Sequence, residues 1–409
     1  MIPLAPGTST SQTRRSRFEH ALLCALLLAL ALATTSCEEP VGIEVRQIRI
    51  SPEVALVLLG DTEIFTLQAL GSGGVAASAA GVRWSSTDPT VASVGADGLV
   101  SGLAAGEILL IAQLASAADT VRVEVYDPPT REVFQAGASY FGRRDYVEYI
   151  PGELPVVLSA PHDGGLGPLE IANRKGGTQV GDQNTLPLTL AVRDALIELT
   201  GLAPHVVLSH LHRAKLDPNR EIVEAAEGNP FAERAWTEYH EFIRTARSTI
   251  ATRGEGMYFD MHGHGHAIER VELGYLLTPE DLNRSDASIS SLSYVLRSSI
   301  REIGRDSPVP FAEVLRGPVS FGGMLEAEDV PAIPSPTSPM PGDDPYFTGG
   351  YSTWQHGSLF DTELVSGIQL EHHFRGLRDT DLNQQRYAAI LSRVIRDYML
   401  QHMGYFEPN

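Results

Sequence analysis

The residues best suited to chemistry lie in the run Tyr258-Phe259-Asp260-Met261-His262-Gly263-His264-Gly265-His266. Three imidazoles alternate with glycines directly after a short apolar stretch that closes on a carboxylate. Neutral imidazole is a common ligand of divalent metals. Two imidazoles and an acid leave a catalytic zinc one open position for water. A further carboxylate can then take that water's proton. Three other motifs offer the missing parts. Ser159-Ala160-Pro161-His162 places a second imidazole beside the glycine-rich turn Asp163-Gly164-Gly165. The run from Arg213 to Arg220, with Asp217 and Asn219 inside it, supplies two guanidiniums and an amide suited to gripping a substrate carboxylate. Gln369-Leu370-Glu371 offers the further carboxylate. The contiguous motifs His-Glu-x-x-His and Gly-x-Ser-x-Gly are absent, so any ligands must converge from separate segments.

Each residue also has a plain reading. Single histidines are ordinarily solvated or packed in a core, Asp217-Pro218 can simply start a turn, and Glu371 can be a surface residue of a strand. Position decides between the readings. On a strand, residues two apart point the same way, so Asp260, His262, His264 and His266 share one face; a helix would scatter them. After Tyr149 short apolar runs alternate with amphipathic stretches, which predicts an α/β domain with a mixed sheet flanked by helices. Strands are expected at Leu154–Ser159, Val206–Leu208, the run into Asp260, Leu273–Leu277 and Gly367–Glu371. Helices are expected over Thr185–Thr200 with Gly201 as a stop, about Phe231–Ala251, near Ser290–Ile303 and about Asp381–Gln401. Between Pro331 and Gly350 lie six prolines and three glycines, a loop long enough to be a wall or lid. The polar motifs fall at the far ends of the apolar strands, where open α/β sheets bind ligands.

The preceding residues differ in style. From Val45 to about Val125, runs such as Gln47–Ile50, Glu63–Leu67 and Thr120–Val125 alternate apolar and polar side chains between glycine-rich turns, as half-buried strands do. Many short strands in one small stretch predict an all-β sandwich. Asp127-Pro128-Pro129-Thr130 reads as a stiff linker. At the start of the chain, Arg14, Arg15 and Arg17 precede the apolar run Ala21–Ala33 and then Thr34-Thr35-Ser36-Cys37, the pattern of an export signal. The net charge of −20 over 409 residues argues against nucleic acid or an anionic membrane surface as the main partner.

Three resemblances sharpen these readings. Val82–Val94, with its Trp84-Ser85-Ser86-Thr87-Asp88-Pro89, followed by Gly98–Gly102 and Gly106, resembles the bacterial immunoglobulin-like group 2 domain, with Trp84 as a core anchor and Asp88-Pro89 as a turn. The leader resembles a bacterial lipoprotein signal, which implies acylation of Cys37; Thr34 departs from that pattern's usual leucine. Residues 150–400 resemble the N-formylglutamate amidohydrolase family, related in fold to zinc carboxypeptidases and aspartoacylases. The likeness rests on Ser159–His162, Asp182 with Thr185, Asp217–Arg220, Asp260 with His262, and Gln369 with Glu371. It implies zinc held by His162, His262 and a third ligand, with Asp260 supporting a ligand imidazole. Gly165 stands where the carboxypeptidase pattern has its acid, so the third ligand is expected to be Asp182, or else Glu170. Asn219 and Arg220, with Arg213, would bind a substrate carboxylate and Glu371 would be the general base. His264, His266, Tyr351 and His356 are left without an assigned role, a second metal among the possibilities for the first two.

The expected organisation is a leader over 1–37, an immunoglobulin-like domain over 44–126, a linker over 127–149 and a catalytic domain over 150–409. The expected function is zinc-dependent hydrolysis of a C–N amide bond in a carboxylate-bearing substrate, such as an N-acyl amino acid or small peptide, by an exported and lipid-anchored enzyme. The competing readings are a surface adhesion protein that has lost catalysis and a carboxypeptidase-like peptidase acting on cell-wall peptides.

Overall fold

The computed structural model describes residues 43–130, 133–359 and 364–406. Cys37 and the rest of the leader lie outside the described residues. The chain divides into two compact units, one of N-terminal β-structure and one that takes in the chain from Glu124 onward together with Val54–Asp61 and Ala104–Gly106.

The N-terminal unit is an all-β sandwich. Gln47–Ser51 and Ala76–Ala77 flank Thr66–Leu70, Thr62–Ile64 and Ala92–Val94 flank Leu99–Gly102, and Arg83–Ser86 pairs with Gly106–Leu114. The alternation read from the sequence is the burial pattern itself. In Gln47–Ser51 only Ile48 and Ile50 are buried, and in Gly106–Leu114 the buried set is Ile108, Leu110, Ala112 and Leu114. Phe65, rather than Trp84, is the large side chain at the centre: Phe65 is 1% exposed, whereas Trp84 is only half-buried. Asp88 makes the expected turn by accepting from the Thr90 amide (3.0 Å) and hydroxyl (2.6 Å).

The second unit is a three-layer α/β domain. Its sheet has eight strands, here β1 (Tyr140–Phe141), β2 (Val147–Ile150), β3 (Val156–Ala160), β4 (His205–Ser209), β5 (Gly256–Gly263), β6 (Val271–Gly274), β7 (Ala332–Ile333) and β8 (Val365–His372), in the order β1-β2-β4-β3-β5-β8-β6-β7. The central four, β4-β3-β5-β8, are mutually parallel; β2 and β6 run antiparallel to them. Three long helices cover the faces: α1 (Thr185–Thr200), α2 (Pro230–Ala251) and α3 (Asp381–Met403). In β5 the period of two divides the strand cleanly. Met257, Phe259 and Met261 join the core with Leu188, Leu196, Leu391 and Ile395 of α1 and α3. Tyr258 joins Ile243, Ala246 and Ile250 of α2.

Helix α1 starts and stops where the sequence pattern places it, with Gly201 at φ +75° as its left-handed C-cap. The helix expected near Ser290–Ile303 is instead two short pieces, Leu292–Val295 and Arg301–Asp306. Serine hydroxyls explain the break: Ser298 Oγ donates to the Tyr275 carbonyl (3.2 Å) and accepts from the Ile300 amide (3.3 Å), competing with helical bonds. The strand expected over Leu273–Leu277 lies earlier, at β6.

Candidate metal centre

The C-terminal ends of the parallel strands carry the polar motifs. Registration sets them side by side: Asp260 on β5 stands opposite Ser159 on β3 and Gln369 on β8, and His262 stands opposite Glu371. His162 follows β3 by two residues. Asp182 comes from the loop before α1, where its amide donates to the His162 carbonyl (3.1 Å) and its carbonyl accepts from Thr185 Oγ1 (2.9 Å).

Three donor atoms converge here. His162 Nδ1 lies 3.1 Å from His262 Nδ1 and 3.2 Å from Asp182 Oδ2, and His262 Nδ1 lies 3.1 Å from the same carboxylate oxygen. All three residues are buried. Where both rings carry their proton on Nε2, two Nδ1 lone pairs and a carboxylate oxygen face one another, an arrangement that a cation would relieve. The spacing is close to that of a small divalent metal ion, since a tetrahedron with arms of about 2.0–2.1 Å has edges of about 3.3–3.4 Å. The far nitrogens face polar partners. His162 Nε2 donates to Asp217 Oδ1 at 2.6 Å, while His262 Nε2 lies 2.9 Å from Asp260 Oδ2 and 3.3 Å from Asn219 Nδ2. At His162 the carboxylate on the outer nitrogen fixes the tautomer and frees the inner lone pair for a cation.

Electrostatics point the same way. Burial alone would raise the pKa of Asp182 and Asp217, but the His162 imidazole, with His262 at Asp182 and Arg213 and Arg220 at Asp217, holds both carboxyls well below the usual range. Burial would lower the His262 pKa, and Asp260 and Asp182 outweigh it and hold it well above its ordinary value. The position favours positive charge. Glu371 is the contrasting group. Burial pushes its pKa up to about 7, His262 pulling it down and Asp182 adding to the rise. Its Oε1 accepts from Gln369 Nε2 at 2.8 Å, and Gln369 Oε1 in turn accepts from the Gly350 amide at 2.6 Å.

These side chains line a cavity of about 650 Å³, within the span of about 300–1,000 Å³ usual for small-molecule sites. The proline-rich segment is a wall of it. Thr348, Gly349 and Gly350 line the cavity, Phe347 donates its amide to Glu272 Oε2 (2.9 Å), and Ser352 donates its amide to Asn219 Oδ1 (2.8 Å). Gly350 allows that approach, since a Cβ there would sit 2.2 Å from Asn219 Nδ2.

The residues singled out in the sequence are distributed as follows. His162, Asp182, His262, Asn219, Arg220, Arg213 and Glu371 all line the one cavity. Asp260 stands behind His262, fully buried. Arg213 is turned inward: Nη1 donates to Asp182 Oδ1 (3.0 Å) and Nε to Asp217 Oδ2 (3.1 Å), so its guanidinium braces a ligand instead of standing free for substrate. Arg220 is the more available cation, with Glu224 at 3.4 Å and a side chain 37% exposed. Glu170, the alternative third ligand, is held elsewhere by Arg143 (2.6 Å), Arg144 (2.8 Å) and the Tyr146 hydroxyl (2.7 Å). His356 belongs to the core, fully buried with Nε2 2.8 Å from His240 Nδ1, and neither it nor Tyr351 lines the cavity.

His264, His266 and Glu272 form a second group that can hold a metal ion. Here both ring nitrogens of His264 are already bonded to main chain: Nε2 donates to the Arg270 carbonyl (2.8 Å) and Nδ1 accepts from the His266 amide (3.1 Å). His266 Nδ1 lies 2.9 Å from Glu272 Oε1. A cation would have to displace these main-chain bonds of His264, whereas in the first group the two inner nitrogens face only each other and Asp182 Oδ2, which also accepts from the Gly263 amide at 3.2 Å. Asp217, named in its motif but given no role, and Arg378, not named at all, are the site residues that sequence reasoning missed. Asp217 carried a signal, being two residues before Asn219 in a run already marked; Arg378, in an ordinary loop after β8, carried none.

Residues 44–125 match the family model described as bacterial Ig-like domain (group 2). No curated protein matches the chain. Among solved structures, domains 5–6 of the S-layer protein SbsC align at 15% identity over 26% of this chain and 60% of that one, with a TM-score of 0.20. The longer structure of SbsC domains 1–6 aligns at 15% identity with a TM-score of 0.19, covering 27% of this chain and 19% of that one. The chain therefore spans less than two thirds of either S-layer structure. The N-acetylmuramyl-L-alanine amidase Ami1 from Mycobacterium smegmatis aligns at 13% identity over 60% of this chain and 96% of that one, with a TM-score of 0.28. Likenesses this distant carry no argument about chemistry.

Proposed function

We propose that the second unit is a zinc-dependent amidohydrolase of the N-formylglutamate amidohydrolase type, acting on a C–N amide bond beside a free carboxylate. One observation carries the reading. Two buried imidazoles and a carboxylate turn three donor atoms to a common point 3.1–3.2 Å apart, in the cavity that holds Glu371. His162, Asp182 and His262 would hold the cation, which when bound supplies Lewis acidity toward a carbonyl and toward water. Asp217 and Asp260 stand at the outer nitrogens and would keep the two imidazoles oriented, the cation taking the place of a proton at the inner ones. Glu371 Oε1 is tied to Gln369, which leaves Oε2 to accept a proton from water and return it to the leaving nitrogen. A pKa near neutrality suits both transfers. Arg220, the partly exposed cation of the cavity, holds the substrate's carboxylate, with Asn219 beside it against His262.

The test is amine release from a panel of N-acyl amino acids and short peptides by the zinc-loaded full chain. Glu371→Gln is expected to keep its zinc and lose about 10²–10⁴-fold in kcat. Full activity in that variant would remove Glu371 as the base, and no release from any member of the panel would overturn the reading. The leader and Cys37 support an exported enzyme, lipid-anchored in a bacterial envelope, with the immunoglobulin-like domain as spacer. Cys37→Ser should move the chain from the membrane fraction to the soluble fraction; unchanged membrane association would refute the anchor.

A further inference from the structure

This inference rests on the metal-centre reading and concerns what holds that centre in shape. The cavity is lined by one buried cation with no acid bonded to it. Arg378 is 4% exposed, and among the described residues no carboxylate lies within ion-pair distance of its guanidinium. Asp182, Glu371 and Asp163 act on it only through space. A buried charge without a bonded counter-ion is costly and calls for a reason.

Its N–H groups go to main-chain carbonyls. Nε donates to His372 (3.2 Å), Nη2 to His264 (3.2 Å) and Nη1 to Gln183. Each acceptor sits next to a site residue. Gln183 follows Asp182, His264 stands two after His262, and His372 follows Glu371. Gly263 makes room for the bridge, since a Cβ there would lie 2.5 Å from Arg378 Cζ. The Arg378 carbonyl returns the contact by accepting from Asn184 Nδ2 at 2.8 Å, so the arginine and the Gln183-Asn184 pair clasp each other.

Sheet pairing already sets His262 against Glu371. It does not set Asp182, whose loop lies outside the sheet. We propose that Arg378 is a positioning residue that locks the Asp182 loop to the ends of β5 and β8, and so fixes the third corner of the donor triangle against His262 and Glu371. A guanidinium suits this task because its five N–H groups lie in one rigid plane and can bind three carbonyls at set angles. An ammonium keeps the charge but has no such fork.

Cobalt(II) titration of the full chain, followed by its visible absorption, tests the proposal without needing a substrate. Arg378→Lys keeps the charge and loses the fork. It is expected to bind cobalt about 10–100-fold more weakly, with a changed spectrum. Asn184→Gly keeps the left-handed backbone (φ +67°) but removes the returning bond, and is expected to move both readouts in the same direction. Arg316→Lys is the control. That arginine also ties main-chain carbonyls (Leu282, Arg284 and Pro339) but does not line the cavity, so its loss is expected to lower the melting temperature and leave the cobalt spectrum unchanged. Wild-type affinity and spectrum in both Arg378→Lys and Asn184→Gly would overturn the positioning role. A wild-type chain that binds no cobalt would overturn the metal-centre reading itself, and the inference with it.

Discussion

Asp217 shows how a residue's task depends on what the fold brings to it. In sequence it opens the Asp217–Arg220 run, and its plain reading is a turn before Pro218. In the structure its Oδ1 receives the His162 Nε2 proton at 2.6 Å and the Asn219 amide at 3.1 Å, while Arg213 holds Oδ2. Replacing it by asparagine should leave the fold intact and weaken zinc binding about 10–100-fold, because the His162 tautomer is no longer imposed. Equilibrium dialysis against zinc measures this, and an unchanged affinity would show that the acid is not orienting the imidazole. Which residues could serve as ligands was legible in the sequence, because imidazoles and acids at strand ends are few. Which acid would be a ligand and which a support was not, since that follows from contacts across long stretches of chain. Asp182 is preferred to Glu170 only by resemblance, and the contacts of Glu170 with Arg143, Arg144 and Tyr146 supply the physical reason. Arg213 reads as a substrate clamp beside Arg220, yet two buried carboxylates claim it.

Among elements, those whose pattern is enforced by burial could be read directly. β5 and β8 are buried along almost their whole length, and α1, α2 and α3 present regular apolar faces to the sheet. The serine-rich stretch after Tyr275 could not be read, because its hydroxyl bonds to main chain override the helical spacing. The sheet also carries a pH dependence of its own. His205 begins β4 with Nδ1 accepting from the Gly152 amide at 3.1 Å and facing the Tyr149 hydroxyl at 2.9 Å. Burial, with the nearby Arg253 charge, lowers its pKa to about 4 from the ordinary 6.5. The folded form therefore resists a proton that the unfolded chain accepts, so this contribution is fully present above about pH 6.5 and is lost as pH falls toward 4. Urea denaturation between pH 7.5 and 4.5 should show wild-type stability falling more steeply than that of His205→Asn. Equal slopes would assign the acid sensitivity elsewhere.

At the scale of the whole molecule, an immunoglobulin-like sandwich precedes an α/β domain whose strand ends converge on one polar cavity. The division between the two styles was visible in the switch from alternating short strands to strands separated by helices. The net charge of −20 argues against nucleic acid as a partner but says nothing about substrate, because chemistry resides in a few side chains that composition averages away. Everything at the strand ends depends on whether the triangle of His162, Asp182 and His262 holds a cation. Zinc content of the purified full chain after dialysis, set beside that of a His162→Ala/His262→Ala double variant, is the direct measurement. About one zinc per chain in the wild type and none in the variant is the predicted result. A metal-free wild type, or zinc retained at wild-type stoichiometry by the double variant, would contradict it.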